Sequence, residues 1–230
     1  MKLSQILYSQ GFGTRRVCAG MVYSDLVQHN GRVLEDPDED LPTAGLVLTV
    51  EGKPWPFHEK ALVLLNKPAG YECSQKPKHH PSVMTLLPAP LRNRGVQPIG
   101  RLDEDTTGLL LLTEDGSLIH KLTSPKHHVP KVYEVGCKHP IDDDQVARLL
   151  AGVVLEDDPV PVRAAACERV TEHHLRLTLT EGKYHQVKRM LAAVSNRVET
   201  LHRSEFGHLT IPADLAPGQW CWVNGWQPPA

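Results

Sequence analysis

One stretch of seventeen residues constrains the fold more than any other, the segment GRLDEDTTGLLLLTEDG from Gly100 to Gly116. Its five apolar or near-apolar positions, Leu109 to Thr113, predict a strand buried on both faces, and the Asp-Gly pair that follows predicts a turn. Three carboxylates occupy residues 103–105, on the loop that enters this strand. Because carboxylates are costly beside a buried strand unless something uses them, they are candidates for chemistry. The alternative is a structural cap or turn made by the two aspartates and Thr106.

The composition indicates a folded chain with a substantial core. A length of 230 residues allows one large domain or two smaller ones, and a hydrophobic content of 40% is too high for a disordered protein. The longest apolar runs, such as residues 61–65 and 108–112, are too short to span a bilayer. The N-terminal sequence lacks the pattern of a signal peptide, so we expect a cytoplasmic protein.

Net charge and cysteine content give no direct indication of function. The formal net charge of −2 does not suggest nucleic-acid binding, so any such binding must rest on local basic patches. The five cysteines are scattered, odd in number and without a CxxC pair. This pattern favours free thiols over disulfides or a zinc site.

Residues 1–52 predict a first unit of two helices and several strands. Leu3, Ile6 and Leu7 recur at helical spacing, and Thr14 is a candidate N-cap for a second helix. The Asn-Gly pair at 30–31 predicts a hairpin, and residues 45–50 predict a further strand.

Two arginines open the second predicted helix. Arg15 and Arg16 lie in its first turn, where the helix dipole disfavours cations. That cost is acceptable if both side chains face phosphate groups. The alternative is an ordinary solvated helix face.

Residues 53–60, with two prolines around Trp55, are the best candidate for a linker. Beyond it, the pattern predicts alternating strands and helices. Strands are predicted over 61–65, 109–113, 131–135, 160–167 and 175–180, and helices over 117–122, 142–150 and 187–194. Lysines and histidines within residues 121–131, with no acidic residue among them, form a predicted basic patch.

The central segment closely resembles the catalytic motif of pseudouridine synthases, in the branch named RsuA. The resemblance continues in three further strings in matching order: NKPAG at 66–70, KVY at 131–133 and EGKYHQVKRM at 181–190. The first unit is similar to the small RNA-binding domain first named for ribosomal protein S-four, which this branch typically carries at the same end. The resemblance therefore covers nearly the whole chain.

The resemblance implies three catalytic residues. Asp103, the Asp of GRLD, corresponds to the essential nucleophile, and Tyr133 to the tyrosine that lies against the target base. Lys188 corresponds to the cation beside the catalytic Asp, where many members of the family have Arg. Because lysine lacks the bidentate fork of arginine, we expect a looser pairing, with Arg189 as the alternative partner.

The resemblance and the basic patches together predict RNA-contacting residues. We expect them to be Arg15, Arg16, Lys67, Arg101, Lys126, Lys131, Lys183 and Arg189. Arg101, next to the nucleophile, is expected to fill the space left by the flipped base or to hold a flanking phosphate.

The sequence thus predicts an α+β protein of two domains. Residues 1–52 form an S-four-like RNA-binding domain, 53–60 a linker, and 61–230 a pseudouridine synthase domain on a mixed, largely antiparallel sheet flanked by helices. The expected activity is the isomerisation of a uridine in 16S ribosomal RNA, either free or in a small-subunit assembly intermediate, by a monomer that needs no cofactor. Two alternatives stay open, a large-subunit synthase and a non-catalytic ribosome-assembly protein that binds RNA. Attack on the sugar, attack on the ring and proton abstraction all remain possible roles for Asp103.

Other kinds of site are not supported. The His-His pairs at 79–80, 127–128 and 173–174 offer one ligand each on an extended strand and have no HExxH or Cys-rich partner, so we expect no metal. No GxSxG motif suggests a serine hydrolase. Asp103 and Asp105 alone do not define a glycosidase.

Overall fold

The computed structural model describes residues 1–227 of the 230. The chain forms two compact units. The first comprises Met1–Ala61 together with Leu87–Gln97, and the second comprises Leu62–Leu86 and the residues from Pro98 onwards.

The first unit consists of three short helices and a four-stranded sheet. These are α1 (Leu3–Ser9), α2 (Arg15–Tyr23), β1 (Val27–His29), β2 (Arg32–Val33), β3 (Val47–Val50), β4 (Lys53–Pro56) and α3 (Ala89–Asn93). The strand order is β2-β1-β3-β4, and every pairing in this sheet is antiparallel.

Local sequence explains the first unit as predicted. The Thr14 side chain accepts a hydrogen bond from the amide of Val17 and so caps α2. Asn30 and Gly31, between β1 and β2, both have positive φ, 50° and 76°. A tight hairpin turn of the primed type requires this backbone at both central positions, which is why Asn-Gly is favoured there.

The predicted linker at 53–60 is wrong in its first half. Lys53–Pro56 forms β4, an edge strand that pairs with β3 and buries Trp55. Pro54 and Pro56 made this segment resemble a linker because proline has no N–H to donate. At the edge of a sheet that donor is not needed, so a strand tolerates both prolines.

The predicted boundary at residue 61 is also incomplete, because a later segment belongs to the first unit. In Leu87–Gln97, the Asn93 side chain donates to the carbonyl of Gly11 (2.8 Å), and Arg94 donates to Gln10 Oε1 (2.9 Å). Gly11 has φ of +87°, and a Cβ at this position would lie 2.1 Å from the carbonyl oxygen of Pro90. The turn after α1 therefore requires glycine for the close approach of α3.

The second unit is built around a nine-stranded sheet. Its strands and helices, with the short strand β6 at the passage between the units, are β5 (Leu62–Lys67), β6 (Gln97–Pro98), β7 (Thr107–Thr113), α4 (Gly116–Thr123), β8 (Lys131–Cys137), α5 (Asp143–Ala151), β9 (Val153–Leu155), β10 (Asp158–Val162), β11 (Ala166–Thr171), β12 (His174–Leu179), α6 (Gln186–Ala193), β13 (Val198–Phe206), β14 (Leu209–Thr210) and β15 (Trp220–Trp222). Short 3-10 turns cover Val83–Leu86 and Pro125–His127.

The main sheet is mixed but largely antiparallel, as predicted. Its order is β11-β12-β8-β13-β7-β5-β15, with β14 beside β13 and β6 beside β7, while β9 and β10 form a separate hairpin. β13 and β7 pair in parallel, and the other strands along this order pair antiparallel. The α+β composition and the mixed sheet are confirmed.

The predicted central strand lies in the core. All four leucines of β7, Leu109 to Leu112, are fully buried, and every residue of its neighbour β5 is buried as well. Gly108 has φ of +105°, and an added Cβ would lie 2.3 Å from the carbonyl oxygen of Arg203 on β13. Glycine at this point lets the two parallel strands meet directly behind the acidic loop.

No helix within residues 1–227 is long and apolar enough to cross a membrane.

Candidate active site

A cavity of about 980 Å³ opens in the second unit, at the end of β7 that carries the acidic loop. β8 and β13 supply its floor, and the segment leading into α6 supplies one wall. Its charged and aromatic lining includes Asp103, Lys131, Tyr133, His185, Lys188, Arg203 and Phe206. The three residues predicted to be catalytic are therefore brought together.

Asp103 has a partner on each carboxylate oxygen. Lys188 Nζ lies 3.2 Å from Oδ2, and His185 Nε2 lies 3.1 Å from Oδ1. About a quarter of the Asp103 side chain, 27%, is exposed. The carboxylate is thus fixed in orientation while part of it still faces the cavity.

Lys188 bridges the two aspartates of the loop. Its ammonium also donates to both oxygens of Asp105, at 2.7 and 2.9 Å. Burial disfavours the charge of Lys188, but its hydrogen bonds to Asp105 and Asp103 outweigh this and raise the pKa of the ammonium above the ordinary lysine value. The cation beside Asp103 is therefore protonated across the physiological pH range.

Arg189, the alternative partner, points elsewhere. Its guanidinium pairs with Asp157 and donates to the carbonyl of Tyr184 at 2.9 Å. Its predicted contact with RNA would have to compete with this ion pair.

Lys67 is not an RNA-contacting residue, contrary to the prediction. Its side chain is fully buried, and Nζ donates to the carbonyls of Pro68, Asp103, Glu104 and Thr106 at 2.7 to 3.1 Å. Burial lowers the pKa of Lys67, although nearby anionic groups oppose this shift. Its role is to hold the backbone of the acidic loop, including that of Asp103.

Loss of Lys67 should therefore affect stability and the loop together. We expect Lys67→Met to lower the free energy of unfolding by about 2 to 4 kcal/mol, because buried carbonyls lose a charged donor. Urea unfolding measures the effect, and Lys76→Met, at an exposed lysine of the same unit, is the matched control. If both variants have the same stability, Lys67 does not anchor the loop.

Tyr133 lies on β8 and forms part of the cavity floor. It is largely buried and pairs in register with Arg203 on β13. Neighbours of this kind lie side by side on one face of a sheet. The aromatic ring is thus available to a planar group bound above the floor.

The remaining predicted RNA-contacting residues differ in exposure. Arg15, Arg16, Arg101 and Lys126 are exposed, as an RNA contact requires. Lys183 lines the cavity and pairs with Asp158. Lys131 does not belong to an exposed basic patch, because its strand position turns it inward beneath the cavity.

Sequence reasoning missed several residues of this site. His185 is the first, although it lies inside the EGKYHQVKRM string. Its left-handed backbone, with φ of 46°, starts α6, and its ring stacks on Tyr184. The sequence feature that could have identified His185 was its position within this motif. No feature of the sequence indicated that Arg203 would be buried in the site.

The fold and the site define a class of enzyme. A family model described as RNA pseudouridylate synthase matches residues 61–193, and the chain belongs to this family. It is 38% identical over 227 residues to the ribosomal small subunit pseudouridine synthase A of Escherichia coli (strain K12), covering 96% of this chain and 95% of that protein. Identity rises to 45% over 163 residues with the protein of the same name from Salmonella typhimurium (strain LT2), covering 71% and 70%.

A solved structure supports the same family assignment. A crystal structure of a pseudouridylate synthase superposes with a TM-score of 0.68 at 31% identity, covering 97% of this chain and 96% of that one. The resemblance inferred from the motifs is confirmed.

Proposed function

We propose that this protein isomerises a uridine of small-subunit ribosomal RNA to pseudouridine, with Asp103 as the reacting carboxylate. The observation that carries the proposal is the placement of Asp103 between Lys188 and His185, in a cavity that also presents Tyr133. One carboxylate, a matching cation and an aromatic platform are the groups that this reaction requires.

The reaction separates uracil from C1′ of its ribose and rejoins it through C5. It conserves every atom and needs neither a redox partner nor an external energy source. The Asp103 carboxylate can attack C1′, add to the ring at C6, or take the proton from C2′. All three routes use the carboxylate of Asp103, and the ammonium of Lys188 lies 3.2 Å from its Oδ2 as a counter-charge.

The target nucleotide must leave its stack to reach Asp103. Extruding it costs a few kcal/mol, and stacking on an aromatic side chain recovers part of that cost. We assign this stacking to Tyr133. Arg101, two residues before Asp103 and exposed at the cavity, is suited to hold a flanking phosphate.

The small subunit is the preferred target because relatives that are 38% and 45% identical to this chain carry that assignment in their names. Such a substrate would also place the enzyme in the cytoplasm. Ribosomal RNA from a strain lacking the gene, treated with carbodiimide and sequenced, tests the proposal. Loss of one pseudouridine from small-subunit RNA supports it. Loss of a pseudouridine from large-subunit RNA would show that the substrate is large-subunit RNA. An unchanged set of pseudouridines would favour a non-catalytic RNA-binding role.

We propose that the first unit is an S-four-like RNA-binding domain that contributes affinity and substrate choice. Arg15 and Arg16 are exposed at the N-terminus of α2, and the guanidinium of Arg15 lies 5.6 Å from the centre of the Tyr8 ring. This helix end repels cations, so phosphate groups are their natural counter-charge.

The double change Arg15→Gln with Arg16→Gln should weaken RNA binding and leave turnover at saturating RNA nearly unchanged. We expect the slope of log K against log salt to fall by about 1 to 2 units, since each lost phosphate contact removes about one. Titrations at several salt concentrations, beside single-turnover kinetics, measure both quantities. Lys53→Gln, at an exposed cation on β4, is the control. An unchanged slope would mean that the arginines are only a solvated surface.

A further inference from the structure

A buried arginine on the cavity floor has an unused donor. The Arg203 side chain is 2% exposed, and its Nε donates to the carbonyl of Leu109 at 2.8 Å. Its Nη2 is buried and has no hydrogen-bond partner within residues 1–227. A guanidinium donor left unpaired inside a protein is costly, so a ligand that accepts from it is expected.

A second cation lies beside it. Lys131 is mostly buried on β8, and its Nζ donates only to the carbonyl of Val129 among the hydrogen bonds of the described residues, at 3.0 Å. Both cations lie against one ring, because Lys131 Nζ is 5.3 Å and the Arg203 guanidinium carbon 5.2 Å from the centre of Phe206. Neither forms a salt bridge with a carboxylate of residues 1–227.

The proximity of the two cations has an energetic cost. Burial, with a further contribution from the charge of Arg203, lowers the pKa of Lys131 to about 8, and Glu181 opposes this shift. The folded protein therefore disfavours the charged lysine. A pair of this kind is explained if an electron-rich group of the substrate lies between them during the reaction.

The position of the pair identifies that group. Arg203 is the register partner of Tyr133, and Lys131 lies two residues before Tyr133 on the same face of β8. A uracil stacked on Tyr133 would present its carbonyl oxygens to both cations. A backbone phosphate, by contrast, stays with the RNA strand near the mouth of the cavity.

We propose that Arg203 and Lys131 bind the carbonyl oxygens of the target uracil and stabilise the negative charge that the ring takes up. This inference rests on the proposed isomerisation but does not depend on its route. If Asp103 bonds to C1′, the electron pair of the C1′–N1 bond passes into the ring. If Asp103 takes the proton from C2′, a C1′=C2′ double bond forms and the same pair leaves with the ring. If Asp103 adds to C6, the C5=C6 π pair moves onto the C4 carbonyl.

In each route the charge reaches oxygens that a buried cation pair can stabilise. In the C6 route the C1′–N1 bond breaks before C5 bonds to C1′. When C5 bonds to C1′, Asp103 is regenerated, because its carboxylate leaves C1′ or C6, or returns the proton to C2′. The ring charge is removed in the same phase, and C5 then loses its proton while N1 gains one. Preorganised donors aimed at developing charge typically contribute large factors in rate. This makes the pair specific for the reacting state of the uracil.

The test compares two leaving groups in single-turnover reactions. RNA carrying uridine or 5-fluorouridine at the target site is reacted with wild type and with Arg203→Met, and consumption of the nucleoside is followed after nuclease digestion. Fluorine makes the ring anion less basic, so it needs less stabilisation. We expect the variant to consume uridine about 100-fold more slowly, and 5-fluorouridine only about 10-fold more slowly. Arg197→Met, just before β13, is the matched control.

Equal slowing of both substrates would overturn the proposal, since a structural residue or a phosphate contact has no reason to distinguish them. Wild-type turnover of the uridine substrate must be present first, so failure of the proposed function is recognised separately. Arg203→Lys, which keeps the charge in a smaller space, gives the same comparison if Arg203→Met does not fold.

Lys131 provides an independent readout through stability. Because its folded pKa is lowered, the cost of its charge is fully present below about pH 8 and disappears as the pH rises towards 10.5. We expect Lys131→Met to raise Tm by about 3 °C at pH 7, to lose this advantage near pH 10, and still to slow uridine consumption by about 30-fold or more. Lys138→Met, at an exposed lysine just after β8, is the control. A lowered Tm at pH 7, or unchanged turnover, would show that Lys131 serves the fold alone.

Discussion

Replacing Asp103 by Asn should abolish isomerisation while leaving the fold and RNA affinity nearly intact. We expect the rate at saturating RNA to fall by a factor of about 10⁴ or more, because an amide can neither attack nor accept a proton as the carboxylate does. The structure explains why the protein should tolerate the change. Lys188 keeps Asp105 as its counter-ion, so its ammonium is not left unpaired.

Release of tritium from C5-labelled uridine in the RNA measures the loss. Glu104→Gln, at the exposed carboxylate between the two aspartates, is the matched control and should stay close to wild type. Turnover of the Asp103→Asn variant within tenfold of wild type would rule out Asp103 as the reacting group.

Removal of the cation that bridges the loop should have the next largest effect. Lys188→Met should lower turnover by about 10²- to 10³-fold with at most a few-fold loss in RNA affinity. Asp103 loses one of its two partners, and the carboxylates of Asp103 and Asp105 then face one another without the ammonium between them. Burial alone would raise the pKa of Asp105, and hydrogen bonding to Lys188 overrides this and keeps it low, so the variant is expected to misplace both side chains.

The neighbouring residue separates this effect from a general loss of charge. Arg189→Met removes the same charge from the next position of α6, where the partner is Asp157, and should reduce turnover far less. Lys188→Arg should retain part of the activity, since arginine keeps the positive charge but presents it on a guanidinium of different geometry. If Lys188→Met and Arg189→Met reduced turnover to a similar extent, Lys188 would have no specific role beside Asp103.

The sequence was most informative where chemistry and local structure coincide. The run of leucines after Asp103 identified the buried strand, and the same segment identified the acidic loop that carries Asp103. The resemblance of the EGKYHQVKRM string to the family motif selected Lys188 as the cation beside Asp103, with Arg189 as the alternative, and Lys188 is the one that faces Asp103.

The sequence was least informative where a residue's role depends on distant segments. Lys67 resembles a surface lysine in a polar turn, and its burial follows only from the carbonyls that the acidic loop brings to it. Lys131 and Arg203 are separated by more than seventy residues, so only the pairing of β8 with β13 reveals that two cations share one floor. Residues 87–97 gave no signal at all, because the partners of Asn93 and Arg94 lie 82 and 84 residues earlier in the chain.

The return of residues 87–97 to the first unit has a consequence for synthesis on the ribosome. Domains usually fold as they emerge, N-terminal first. Here α3 and the fully buried Leu91 and Val96 follow β5 in the chain, so the first unit cannot complete its packing until residue 97 has left the exit tunnel. By then β5, the first strand of the second unit, has left the tunnel, but its neighbouring strands β7 and β15 have not.

An exchange of the first unit between relatives must for the same reason replace two segments at once. A graft that ends at residue 61 would leave α3 of one parent facing the Gly11 turn of the other.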